Sequence, residues 1–312
     1  MPNRKMHWFK VTLRLKGSVI PAIIDRVIFC SLFGFLISIL HYFKLPVSWT
    51  ILNSVVPSVV LGLLLVFRTN TAYERFWEGR KCWGTLVNNV RNLARHIWIA
   101  IAENEPEDRV KKEAALRLLV AFAVATKLHL RSESVNEELR NLISDFQYAK
   151  LKTMNNPPLE VAFWIGDYLQ QQHKRNCLNT YQLIDLSDVL DSMVDMLGAC
   201  ERILKTPIPL AYVIHLKQLL LIYCLLLPFE LVSILNWWTG IIVGLVSFTL
   251  FGIEEIGIEI ENPFGHDPND LPLDAICETM RRNIEDLITL SPQANAYHQE
   301  SYQSQSIQQD VI

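Results

Sequence analysis

Two apolar runs without a single Asp, Glu, Lys or Arg set the strongest limit on what this chain can become: Val27–Phe43 (VIFCSLFGFLISILHYF) and Val47–Phe67 (VSWTILNSVVPSVVLGLLLVF). A bilayer core of about 30 Å takes about 20 apolar residues in helix, and flanking aromatics extend a shorter run. Each run can therefore cross a membrane, and Lys44-Leu45-Pro46 leaves room only for a tight turn between them. A second apolar block runs from Ile208 to Val232, is broken by Pro228, turns at Asn236-Trp237-Trp238 and continues from Thr239 to Ile253. Trp49, Trp237 and Trp238 fall at helix ends, where an indole buries its ring and keeps its N–H wet. The pattern predicts four transmembrane helices in two hairpins.

Basic residues resist translocation, so their distribution orients the spans. Arg4, Lys5, Lys10, Arg14, Lys16 and Arg26 precede the first span, and Arg68, Arg75, Arg80, Lys81, Arg91 and Arg95 follow the second. Lys44 is the only basic residue in either turn. Both termini and the long middle segment are thus expected in the cytosol, with the protein in the plasma (inner) membrane or an internal one. The first apolar run starts too late for a signal peptide, so the first helix is read as retained.

The segments follow. Residues 1–25 form a cytosolic N-terminal segment, 26–68 the first hairpin, 69–206 a cytosolic helical region, 207–253 the second hairpin, 254–290 a post-membrane segment and 291–312 a polar Gln/Ser-rich tail. Helical periodicity continues past Arg68 to about Ile101, and Phe76, Trp77, Trp83, Val87 and Val90 on that extension call for burial against protein. Further helices are predicted at about 107–131, 136–150, 158–173 and 180–204, the last capped by Thr180 or Ser187. No alternating strand pattern of useful length occurs, so the fold class is all-α.

Several functions drop out. The chain has no Walker-type phosphate loop, no paired metalloprotease histidines and no serine-hydrolase elbow, and it is read as no enzyme. A formal net charge of -3 gives no footprint for a nucleic acid. The six cysteines, Cys30, Cys82, Cys177, Cys200, Cys224 and Cys277, show no CxxC spacing and read as reduced packing residues.

Three stretches together resemble the bestrophin family of ion channels. PSVVLGLLLVFRTNTAYERFWEGRKCWG looks like its pore helix and exit, TPIPLAYVIHLKQLL like the entry to its third span, and EEIGIEIENPFGHDPNDLPLD like its signature after the fourth, centred on Asn262-Pro263-Phe264-Gly265. The resemblance implies a homopentamer whose second spans line one central pore, passing permeant monovalent ions across the lipid bilayer. Val55, Val59 and Leu63 lie on one helix face by spacing alone. The family pattern makes them the pore neck, a dry constriction that gates by wetting.

The eukaryotic members carry phenyl rings there, whose edges favour anions; Val59 and Leu63 offer none. The reading is an anion channel for ions such as chloride, with a monovalent-cation channel as the alternative and a non-conducting scaffold, packed through Gly240-Ile241-Ile242-Val243-Gly244, as the rival of another class. The resemblance also implies a cytosolic constriction, for which counting back from Pro209 lands near Leu190, with Leu186 and Val194 on adjacent turns. In calcium-regulated relatives a carboxylate run follows the Asn-Pro-Phe-Gly signature. Here only Asp267 and Asp270 keep that place, so calcium held by Asp267, Asp270, Asn262 and Glu259 competes with a turn-capping role for the two aspartates. Glu254, Glu255, Glu259 and Glu261 at the end of the fourth span call for ion pairs with Arg26, Arg68, Arg75, His215 or Lys217.

Overall fold

The computed structural model describes residues 12, 14–49 and 56–290. Val55, first of the three expected neck residues, and the tail at 291–312 lie outside them. The described residues hold helices and no strand. In chain order the helices are α1 (Ile20–Tyr42), α2 (Val56–Ala100), α3 (Asp108–Leu130), α4 (Glu137–Arg140), α5 (Asp145–Leu151), α6 (Pro157–Lys174), α7 (Thr180–Lys205), α8 (Leu210–Leu235), α9 (Thr239–Glu261) and α10 (Leu273–Thr289). They divide between two compact units, Met1–Arg80 with Arg202–Leu271 and Lys81–Glu201 with Pro272–Ile312.

The first unit carries the apolar helices. Among the described residues, three stretches are long and apolar enough to cross a membrane: Ile20–Tyr42, Val56–Ala100 and Leu210–Glu261, the last made of α8 and α9 joined by a 3-10 turn at Asn236–Trp238. Positive φ at Lys44 and Asn236 ends α1 and α8 at the two turns expected from the sequence. Pro21 in its first turn starts α1 earlier than hydropathy suggested, because proline's fixed φ suits that position.

Close approach of α1 to α9 explains the small residues. A Cβ added to Gly34 would lie 2.9 Å from the Gly240 Cα, and one added to Gly240 would lie 2.6 Å from the Phe35 ring. Ser31 donates to the Gly240 carbonyl at 2.9 Å and Ser38 to that of Asn236 at 2.9 Å, so hydroxyls inside the apolar unit have partners. The Gly240–Gly244 face, read above as a surface for joining subunits, is occupied within the chain.

The second unit is a helical body around α3, whose residues from Leu118 to Leu128 are all buried, packed on α6 and α10. Lys127 is buried there and donates to Glu138 at 2.6 Å and Asp274 at 2.8 Å. The boundaries predicted for α3, α6 and α7 lie within a residue of those observed. The single helix expected at 136–150 is two, because Ser144 and Gln147 form a capping box that restarts the chain as α5. The cap of α7 is Asn179, which exchanges hydrogen bonds with Gln182, rather than Thr180 or Ser187. The amphipathic α10 went unpredicted.

Candidate functional site

Helix α2 is the element around which the candidate site is built. Its first turns bury one stripe, Leu61, Leu65, Arg68 and Ala72, at helical spacing. Leu61 and Leu65 pack with Leu216, Leu220 and Cys224 of α8. Val59 and Leu63 lie off that stripe, each 52% exposed, and Val56, Val60 and Val66 are exposed beside them. Two of the three expected neck residues therefore project from the chain as apolar side chains with no partner of their own.

The end of this apolar stretch is tied down by charge. Arg68, 2% exposed, donates from Nη2 to Glu261 at 2.6 Å, while its Nε and Nη1 have no partner. Glu261 also accepts the Ile208 N–H at 3.0 Å. Arg75 donates to three carbonyl oxygens, those of Glu261 (3.1 Å), Ile203 (2.6 Å) and Thr206. Arg26 meets Glu255 at 3.2 Å and Glu254 at 3.5 Å, and Lys217 reaches Glu254 at 3.7 Å. Of the ion pairs expected at the ends of the apolar helices, those of Glu254, Glu255 and Glu261 are present, and they bind α1, α2 and α8 to α9.

The Asn262-Pro263-Phe264-Gly265 loop has a mechanical place. Phe264 is fully buried, and a Cβ on Gly79 of α2 would lie 3.0 Å from Pro263 and 3.1 Å from the Phe264 ring. The loop is seated on α2 so closely that a side chain at position 79 would push it back by a few tenths of an ångström. Sequence reading missed Gly79 because its partner lies far along the chain; its lack of a side chain within an aromatic, charged helix is the only local signal.

Beyond that seat the loop closes on itself. Leu271 N–H donates to the Pro263 carbonyl at 3.0 Å, and Asp267 N–H to the Asp270 carboxylate at 2.7 Å. Glu259 accepts from Asn269 at 2.6 Å, and the Asn262 side chain accepts from the Phe264 N–H at 3.4 Å. Asp270 therefore caps a turn, and Asp267 is exposed. Among the described residues no group of three or more His, Cys, Asp or Glu side chains is placed to hold a metal ion.

Leu190, expected at a cytosolic constriction, is covered within its own chain. Leu190 is 8% exposed and packs toward Gly166 of α6, and Leu186 is buried with it. On α7 the exposed large apolar side chains are Tyr181 and Ile184, and the exposed acids are Asp185, Asp188, Asp191 and Asp195. On the α2 extension Trp83 and Val90 are buried as expected, whereas Trp77 is exposed.

Comparison with known proteins gives concordant matches. The family model described as bacterial/fungal bestrophin protein matches residues 1–286. A voltage-dependent anion channel-forming protein of Nostoc sp. is 67% identical over 297 residues, covering 95% of this chain and 97% of that protein. The Escherichia coli K12 protein of the same description, YneE, is 32% identical and covers 90% and 91%. A crystal structure of a bacterial bestrophin homologue from Klebsiella pneumoniae superposes with a TM-score of 0.79 at 29% identity, covering 86% of this chain and all of that one (100%).

Proposed function

The chain belongs to the bacterial and fungal bestrophin family, and on that premise we propose a homopentameric channel that passes monovalent anions such as chloride through a pore lined by one α2 from each subunit. The observation that carries the proposal is the unpartnered apolar face of α2. Five copies of Val59 and Leu63 facing one axis make a dry neck that conducts only when wetted. The relatives' description as anion channel-forming supports the ion's sign. Four spans, α1, the first part of α2, α8 and α9, cross the bilayer in two hairpins, with both termini and the helices from α3 to α7 in the cytosol.

Recording single channels of the purified protein in planar bilayers under a salt gradient tests this. A reversal potential near the anion limit is expected. One near the cation limit replaces the proposal with a monovalent-cation channel, which the exposed acids of α7 favour if they face the axis. Silence in every preparation leaves a scaffold. Val59→Phe changes conductance or selectivity, and an unchanged channel removes Val59 from the neck.

For the cytosolic constriction we infer Ile184 in place of Leu190, since a collar needs side chains its own subunit leaves uncovered; Ile184→Ala then alters conductance and Leu190→Ala acts on stability. A calcium clasp is left out of the proposal, because Asp267 is exposed and one oxygen of the Asp270 carboxylate is taken by the Asp267 N–H. Adding calcium leaves open probability unchanged, and a calcium-dependent response reinstates the clasp.

A further inference from the structure

Arg68, whose Nε and Nη1 have no partner, lines a cavity of about 520 Å³ together with Phe67, Thr71, Arg75, Pro207, Ile208 and Tyr212. We infer that this cavity holds the phosphodiester headgroup of an anionic phospholipid, with Arg68 and Arg75 facing the phosphate and the apolar wall following the acyl chain.

Charge comes first. Arg68 pairs with one carboxylate, that of Glu261, whereas Arg75 directs its hydrogen bonds to backbone carbonyls. Glu78, further along α2, is engaged by Arg202 at 2.9 Å. No carboxylate lines the cavity itself, so its two guanidinium groups make it positive. Arg68 keeps Nε and Nη1 unpaired although it is 2% exposed. Buried donors are rarely left so, and a guanidinium presents its donors as a planar fork suited to phosphate oxygens.

The remaining wall chooses between a free oxyanion and a lipid. Phe67, Pro207, Ile208 and Pro209 give no hydrogen-bond donor side chain, and the Tyr212 hydroxyl is turned into its own packing by a 2.7 Å bond to the Leu64 carbonyl. Phe67 and Leu210 stand exposed beside the cavity. A free phosphate gains nothing from these surfaces, whereas an amphiphile has a use for both. The cavity also lies where the charge-free run ending at Phe67 gives way to Arg68, the level at which a span meets headgroups.

Native mass spectrometry of the full-length oligomer, extracted from vesicles of equal phosphatidylglycerol and phosphatidylcholine, tests the inference independently of conductance. One phosphatidylglycerol per chain is expected to be retained, preferred about tenfold over phosphatidylcholine by the two guanidinium groups of the lining. Thr71→Glu places a carboxylate on an exposed wall beside the two arginines and is expected to abolish the preference while the oligomer elutes unchanged. Arg68→Gln is the more direct variant, but it also breaks the pair with Glu261. Equal retention of the two lipids, or a preference that survives Thr71→Glu, overturns the site. Displacement of the lipid by millimolar inorganic phosphate would make it a simple oxyanion site and overturn the lipid assignment.

Discussion

The unit built from Met1–Arg80 and Arg202–Leu271 and the unit built from Lys81–Glu201 and Pro272–Ile312 differ in the residues they turn outward. In the first, α1 and α9 expose Ile28, Phe29, Leu32, Leu36 and Leu245, and bury Gly34, Ser38, Thr239, Gly240 and Ser247. In the second, α3 buries Leu116, Leu119 and Phe122 and exposes Lys111 and Arg117. The difference is the solvent outside each. Lipid tails are as apolar as leucine, so the spans gain little from hiding apolar side chains and hold together through close contact and hydroxyl-to-carbonyl bonds. Water around the second unit makes apolar burial its main stabilising term.

The largest expected effect attacks the close contact of the first unit. Gly240→Leu drives a side chain into the Phe35 ring, and detergent extraction followed by size exclusion is expected to recover no folded oligomer. Wild-type recovery would mean that α1 and α9 do not depend on that approach. In the second unit, Phe122→Ala deletes a fully buried ring and is expected to cost about 3–5 kcal/mol, seen as a lower melting temperature.

A pair of substitutions sets the two solvents against each other. Leu32→Asp and Val110→Asp each put a carboxylate in place of an exposed apolar side chain. In bilayer the first is expected to cost about 2.5–3.5 kcal/mol, read as lost membrane insertion. The second, on α3, is expected to stay within about 0.5 kcal/mol. Equal costs would erase the distinction between the units.

The smallest effect concerns pH. Arg175 holds the Asp108 carboxyl at about 2, below its ordinary 3.8. A carboxyl with a depressed folded pKa stabilises fully above the ordinary value and loses that contribution as the pH falls through its folded one. Asp108→Asn is therefore expected to melt a few degrees below wild type at neutral pH, with the gap closing between about pH 4 and pH 2. A gap independent of pH would show that the ion pair is not its source.

Much of this architecture can be read from residue patterns. The helices α3, α6 and α7 announce themselves by apolar period and by the breaks at Pro106 and Asn155-Asn156-Pro157-Pro158. The run from Val27 to Phe43 is legible because it is charge-free, and its start is not, because Ile20–Arg26 mixes apolar and charged residues. Helix α10 was missed because Leu273, Cys277, Met280 and Ile284 form a sparse stripe among charges. For the candidate site, the face holding Val59 and Leu63 followed from spacing, whereas placing Leu190 required knowing what α6 covers.

What the sequence alone determined is the solvent each helix meets: charge-free length and basic flanks are properties of contiguous residues, and the cost of exposing them does not depend on the rest of the chain. Only the tertiary structure decided which small residues touch, that Gly240 faces Gly34, that Gly79 seats Phe264, and that Arg68 is left with unpaired donors beside a cavity. The physical reason is that contact and hydrogen bonding depend on partners that can be about two hundred residues away along the chain, as Glu261 is from Arg68.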